Sequence, residues 1–353
     1  LPQKFRKQAM LFKSRVVIAS ALLGLALSLT PISSQAQDSS RPQLTGTWSN
    51  ASRTGLTRAR GVETLVVSGE RAEQIVAGMA IAGISPENVA AGPAIDPETG
   101  APPTGAEDFG LRGYNLFWTD PGATLAYVKG EFRTSYIINP ENGQVPRLDT
   151  PTTDFQRTSF GSRYLTGVAS ADGPEDLPIG ERCILSEGKA GPAMQSGLYN
   201  NNYQFIQTDD YVMIEVEQMH DARIIPIFSS AEEARANHRP EVLQQYMGDS
   251  VGWYEDGALV VETINVNPQQ MQQSSTAITK NGKITERFIR YSDTEIVYRF
   301  TVEDSDLYSQ PWTAELSYYP SDGHLYEYAC HEGNYSMPGI LAGARRLDAE
   351  QKQ

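Results

Sequence analysis

From Tyr211 onward the chain alternates β-branched or aromatic residues with polar ones, and turn residues break the alternation at short intervals. A period of two marks strands with one buried face, because successive side chains leave a strand on opposite sides. The alternation predicts strands at residues 211–218, 222–228, 252–255, 258–266, 283–291, 294–303, 312–319 and 324–330. The turns Glu255-Asp256-Gly257 and Ser292-Asp293 are too short for a crossover, so the strands they join are antiparallel. An antiparallel meander of this length must hide its edges, which closure into a barrel or strong curvature achieves.

The front of the chain reads differently. A first strand is expected at residues 44–48 and a helix at about 69–82, followed by a Pro, Gly and Ala rich loop at 85–106. Gly46-Thr47-Trp48 resembles the Gly-x-Trp that opens the first strand of lipocalin-like barrels. The expected fold is therefore mainly β: a meander closing into a calycin or lipocalin-like barrel or a strongly curved sheet, with an irregular, partly helical N-terminal part. Its expected boundaries are 1–37 for a signal peptide, 38–110 for the irregular segment and 111–353 for the main β domain.

The signal peptide is read from Lys13 and Arg15, the apolar run at 16–29 and the small polar stretch ending Ser34-Gln35-Ala36-Gln37. The run falls short of the roughly 20 apolar residues of a membrane span, so removal near Ala36 is expected, with no membrane insertion afterwards. Removing residues 1–37 takes five of 29 Lys plus Arg and no acid, leaving 24 against 43 Asp plus Glu, a net charge of −19. Nucleic acid and anionic membrane are excluded as partners by that balance, since both are bound through clustered Lys and Arg. In a periplasmic or secreted chain, the only two cysteines, Cys183 and Cys330, are expected to form a disulfide.

Chemistry concentrates in residues 326–335, Tyr-Glu-Tyr-Ala-Cys-His-Glu-Gly-Asn-Tyr. With His220-Asp221-Ala222-Arg223 it supplies a candidate acid-base set: His331 and His220 as acid and base, Asp221 or Glu332 as the orienting carboxylate, and Arg223 as the anion-stabilising group. The competing reading has both histidines fixing strand ends through hydrogen bonds. Tyr199, Asn200 and Asn202, together with Tyr114, Trp118, Glu327 and Tyr335, offer the amide and aromatic groups that hold a small ligand, although Asn runs also make ordinary turns. Strand periodicity places Glu286 and Arg290 on one face, either inside a polar lumen or in solvent. His238 and His324 read as surface residues.

No pair of histidines has the spacing of the common zinc signatures, no dinucleotide or phosphate loop is present, and no metal or organic cofactor is expected. Gly248-Asp249-Ser250-Val251-Gly252 matches the spacing of a serine elbow without the strand and helix that elbow requires, and reads as a turn.

Several segments together, chiefly His220-Asp221-x-Arg223-Ile224-Ile225-Pro226, Met247-Gly248-Asp249-Ser250 and Glu327 through Tyr335, resemble a family of exported bacterial proteins, over roughly residues 114–345. The resemblance implies export and a shared polar site built from these motifs, and implies no particular activity. The expected function is a cofactor-independent periplasmic lyase, hydratase, isomerase or hydrolase acting on a small polar or aromatic molecule. The rival is a lipocalin-like carrier, and a third reading is an envelope structural protein.

Overall fold

The computed structural model describes residues 41–79, 120–149, 171–186, 189–267, 269 and 276–351. Among these, β1 (Gly46–Ser49), β2 (Val66–Val67), α1 (Gly69–Ala77), β3 (Tyr127–Val128), β4 (Glu131–Arg133) and β5 (Ile137–Asn139) form the front of the fold. They are followed by β6 (Asn202–Gln207), β7 (Tyr211–Val216), β8 (Ala222–Phe228), α2 (Ala231–Ala236), β9 (Asp249–Glu255), β10 (Ala258–Ile264), β11 (Lys283–Ser292), β12 (Glu295–Glu303) and β13 (Trp312–Pro320). Two helices, α3 (Cys330–Gly333) and α4 (Ser336–Gln351), end the described chain.

Nine strands, β1 and β6 through β13, pair in sequence order, and β1 also pairs with β13, so the sheet is a closed barrel. Closure depends on β1, whose Trp48 lies opposite Tyr203 on one side and Pro320 on the other. The first strand, expected at residues 44–48, is the one that seals the wall. Among the described residues, β2, β4 and β3 make a small second sheet.

Asp256 and Gly257 both have positive φ, 50° and 71°, as a two-residue turn with the twist of its flanking strands requires. That turn makes β9 and β10 antiparallel, as expected. The meander is broken once: β8 and β9 run parallel, with Ile227 opposite Gly252 and Phe228 opposite Trp253. A parallel pair needs a crossover, and the chain between the two strands supplies one through α2. Ser230 caps that helix by accepting from the Glu233 N–H, and Ala234 packs with Val251, Trp253 and Val260 on the outside of the wall. The wall is thus a mixed barrel, and not the pure antiparallel meander that short turns alone suggested.

Residues 324–330 form no strand, contrary to expectation. β13 already pairs with β12, β1 and β5, so closure leaves no edge to extend. The chain leaves the wall instead, with the Tyr326 N–H donating to Glu217 Oε1 at 3.3 Å and Cys330 bonded to Cys183.

Inside the barrel, Tyr203, Phe205, Phe288, Tyr298, Phe300, Trp312 and Tyr318 are fully or almost fully buried. Neighbouring rings meet at centroid distances of 4.8 to 5.8 Å, most of them edge to face. Aromatic packing of this kind fills the interior of a small barrel with side chains. Among the described residues, no helix is long and apolar enough to cross a membrane.

Candidate functional site

Arg223 is on the inward face of β8 and Glu286 on that of β11, and both are almost entirely buried. The guanidinium donates to both carboxylate oxygens, at 2.9 and 2.5 Å, and reaches Ser250 Oγ at 3.2 Å and Thr263 Oγ1 at 3.4 Å. Tyr298 donates its hydroxyl proton to Glu286 Oε1 at 2.6 Å. Burial, then the neighbouring Glu286 charge, pushes the Tyr298 hydroxyl well above its ordinary range. Arg223, expected to stabilise a substrate anion, already has its anion in Glu286. Glu286 therefore belongs to a polar lumen and not to a solvated face.

The remaining acid-base candidates do not join this network. Asp221 is buried, and its Oδ2 accepts from the Ser186 N–H at 2.7 Å and from Ser186 Oγ at 2.6 Å. Burial raises its pKa despite those bonds. His220 is exposed in the turn between β7 and β8, with a φ of 54°. His331 and Glu332 are exposed on α3. The expected set is split between the barrel interior, a loop anchor and three exposed residues.

The ligand-binding candidates are likewise dispersed. Lys189 Nζ donates to the Tyr199 carbonyl and, at 3.4 Å, to the Asn200 carbonyl, and it lies 5.3 Å from the Tyr199 ring centroid. Burial lowers that lysine to about 7 against the pull of Glu217 and Asp120. Asn202 donates to Glu217 Oε2 at 3.0 Å and accepts from Ser321 Oγ at 3.0 Å. Glu327 and Tyr335 are exposed, the latter by 86%. Tyr114 and Trp118 lie outside the described residues. Cys183 and Cys330 form the expected disulfide, with Cα atoms 5.6 Å apart and 147 residues of chain between them.

Two features were missed in the sequence. His238, read as a surface residue, has a side chain only 9% exposed, and its Nδ1 is 2.7 Å from Asp249 Oδ2. Its Nε2 faces Glu262 Oε1 at 3.7 Å. Asp249 opposes Ile264 and Glu262 opposes Val251, so the two carboxylates share one outward face of adjacent strands. Like charges that close in a half-buried setting need a cation between them. His238 provides it, helped by Arg235 at 3.1 Å and Lys283 at 3.5 Å from Glu262. Burial opposes the imidazolium, but its bonds to Asp249 and Glu262 and their charges outweigh it and raise the ring to about 9. Contact with His238 above all holds Glu262 down at about 2.

The second missed feature is a cleft of about 520 Å³ at the barrel end where β10 and β12 finish and β11 and β13 begin. Lys280 and Lys283 stand on its rim with Glu303, while Asn265 and Asp304, each 5% exposed, supply buried polar walls and Tyr308 an apolar one. Lys283 links the two features, reaching Glu262 at 3.5 Å and Glu303 at 3.3 Å. Asn265 holds a left-handed conformation, φ 55°, and donates to the Arg239 carbonyl at 3.0 Å, which ties the cleft wall to the His238 loop. The residues involved are scattered over four segments, so no local motif announced them.

Among the described residues, no group of three or more His, Cys, Asp or Glu is placed to hold a metal ion. No family model, no curated protein and no solved structure matches this chain.

Proposed function

We propose that this chain is a periplasmic or secreted binding protein that holds a small polar molecule in the cleft at the barrel mouth. The observation that carries the reading is the cleft itself: its roughly 520 Å³ falls in the range of small-molecule sites, and its rim offers both cationic and anionic groups. Lys280 and Lys283 suit carboxylate or hydroxyl oxygens, while Glu303 suits hydroxyl or ammonium donors. A zwitterion or a polyhydroxyl compound matches that pairing.

Binding is favoured over acid-base catalysis because His220 and His331 are both exposed on separate elements, and Arg223 is neutralised by Glu286. The Cys183–Cys330 bond supports an oxidising compartment. The test is a thermal-shift screen of the native protein against amino acids, monosaccharides and small carboxylates, repeated with Lys280→Glu and Lys283→Gln. A saturable rise in melting temperature that both variants weaken supports the reading. A hit that neither variant affects, or no hit in any class, sinks it.

A further inference from the structure

The interior of the barrel contains more than wall side chains. Residues 189–195, Lys-Ala-Gly-Pro-Ala-Met-Gln, run through it, and Ala190, Ala193 and Met194 are fully buried. Barrel walls satisfy their backbone groups strand to strand, so only inward side chains are left to recognise an occupant. The hydrogen bonds to this segment follow that rule. The Met194 N–H donates to the Tyr298 hydroxyl at 3.1 Å, and the Tyr203 hydroxyl donates to the carbonyls of Lys189 and Gln195 at 3.3 and 3.5 Å. The Ala193 N–H donates to Thr276 Oγ1, and Thr276 Oγ1 donates to the Pro192 carbonyl, both at 3.5 Å.

Gly191 brings the segment against the ion pair. Its φ is +97°, and a Cβ there would come within 2.7 Å of Arg223 Nη1. Only glycine combines that conformation with so close an approach. The segment leaves polar capacity unused: Arg223 Nε and Asn50 Oδ1 are buried without a hydrogen-bond partner. Its middle, Ala190 through Ala193, is a neutral stretch with small side chains, and the hydroxyls of Tyr203, Tyr298 and Thr276 hold the segment as a ligand is held.

We propose that the lumen is a second binding site, occupied in this structure by residues 189–195, and that its ligand class is a small uncharged amide of about tetrapeptide size. The site is independent of the cleft at the mouth. The ligand competes with the segment, so its apparent affinity is reduced by the fraction of molecules in which the segment is displaced. Tyr203 and Tyr298 would donate to and accept from the ligand's amide groups, as they do for the segment.

The probe is the blocked tetrapeptide acetyl-Ala-Gly-Pro-Ala-amide, titrated by calorimetry into the native protein and into Gly191→Ala, with hydrogen exchange on both. The variant should expel the segment, raise amide exchange across residues 189–195 while that of Phe288 and Phe300 is kept, and bind the probe about tenfold tighter than the native protein. A folded variant with unchanged exchange and no binding overturns the proposal. Should Gly191→Ala fail to fold, exchange in the native protein decides. A Met194 amide exchanging about 100-fold faster than that of Phe300 supports local opening, and one that exchanges only together with the strands overturns it.

Discussion

Arg223 on β8 and Glu286 on β11 meet across the barrel interior through two hydrogen bonds of 2.9 and 2.5 Å, although β9 and β10 separate their strands in the wall. The pair is a cross-brace whose members are each intolerable alone, because an unpaired buried charge keeps its desolvation cost and loses its compensation. Arg223→Met should cost about 3–5 kcal/mol, as should Glu286→Leu. The double variant should cost clearly less than the sum. A urea-unfolding double-mutant cycle reads the coupling, and additive losses would refute the brace.

The His238 cluster makes stability depend on pH in a stated direction. Its folded pKa, about 9, lies above the ordinary 6.5, so its contribution is complete below pH 6.5 and is lost as pH rises through 9. Glu262, held at about 2 against an ordinary 4.5, contributes fully above pH 4.5 and loses that contribution as pH falls through 2. Lys189, lowered to about 7 by burial, works in the opposite direction and adds stability as pH rises above 7. Between pH 6.5 and 9 the native protein should therefore lose about 1–3 kcal/mol relative to His238→Gln. An unchanged alkaline slope in that variant would show that another group is responsible.

Removing the disulfide tests what tethers the end of the chain. With a loop of 147 residues, Cys183→Ser with Cys330→Ser should cost up to about 5 kcal/mol in the chain-entropy view. The loss should be accompanied by faster hydrogen exchange in α3 and α4, whose remaining ties include Asn334 Nδ2 donating to the Glu181 carbonyl at 2.7 Å and Arg345 donating to the Asp172 carbonyl. Equal exchange with and without the bond would mean that other contacts hold these helices.

Substituting the exposed histidines should do little. The double variant His220→Ala, His331→Ala is expected to stay within about 0.5 kcal/mol of the native stability, measured by urea unfolding, because neither ring is buried. A loss above about 2 kcal/mol would reveal a structural role for one of them.

The parts of the fold visible in the sequence are those written locally. Asp256-Gly257 announces a hairpin because both residues tolerate positive φ, and the alternation along β11 through β13 marks strands with one buried face. Closure was less visible, since Trp48 finds its partners at Tyr203 and Pro320, far along the chain. The parallel β8–β9 pair was hidden behind a helix of six residues, too short to show a clear period. Asn202–Gln207 opens with amides that suggested a ligand site, yet it is a wall strand. For the sites, periodicity put Glu286 on a shared face with Arg290, but nothing local says that Arg223 meets it from three strands away. His238 was misread for the same reason: its partners Asp249 and Glu262 are brought together only by strand register.

The central claim is that the barrel mouth holds a small polar ligand. The most direct measurement is amide chemical-shift mapping of the native protein titrated with the strongest hit from amino acids, monosaccharides and small carboxylates. The account predicts saturable shifts centred on Asn265, Lys283 and Asp304. Shifts centred elsewhere on the protein, or none at saturating concentrations, would contradict it.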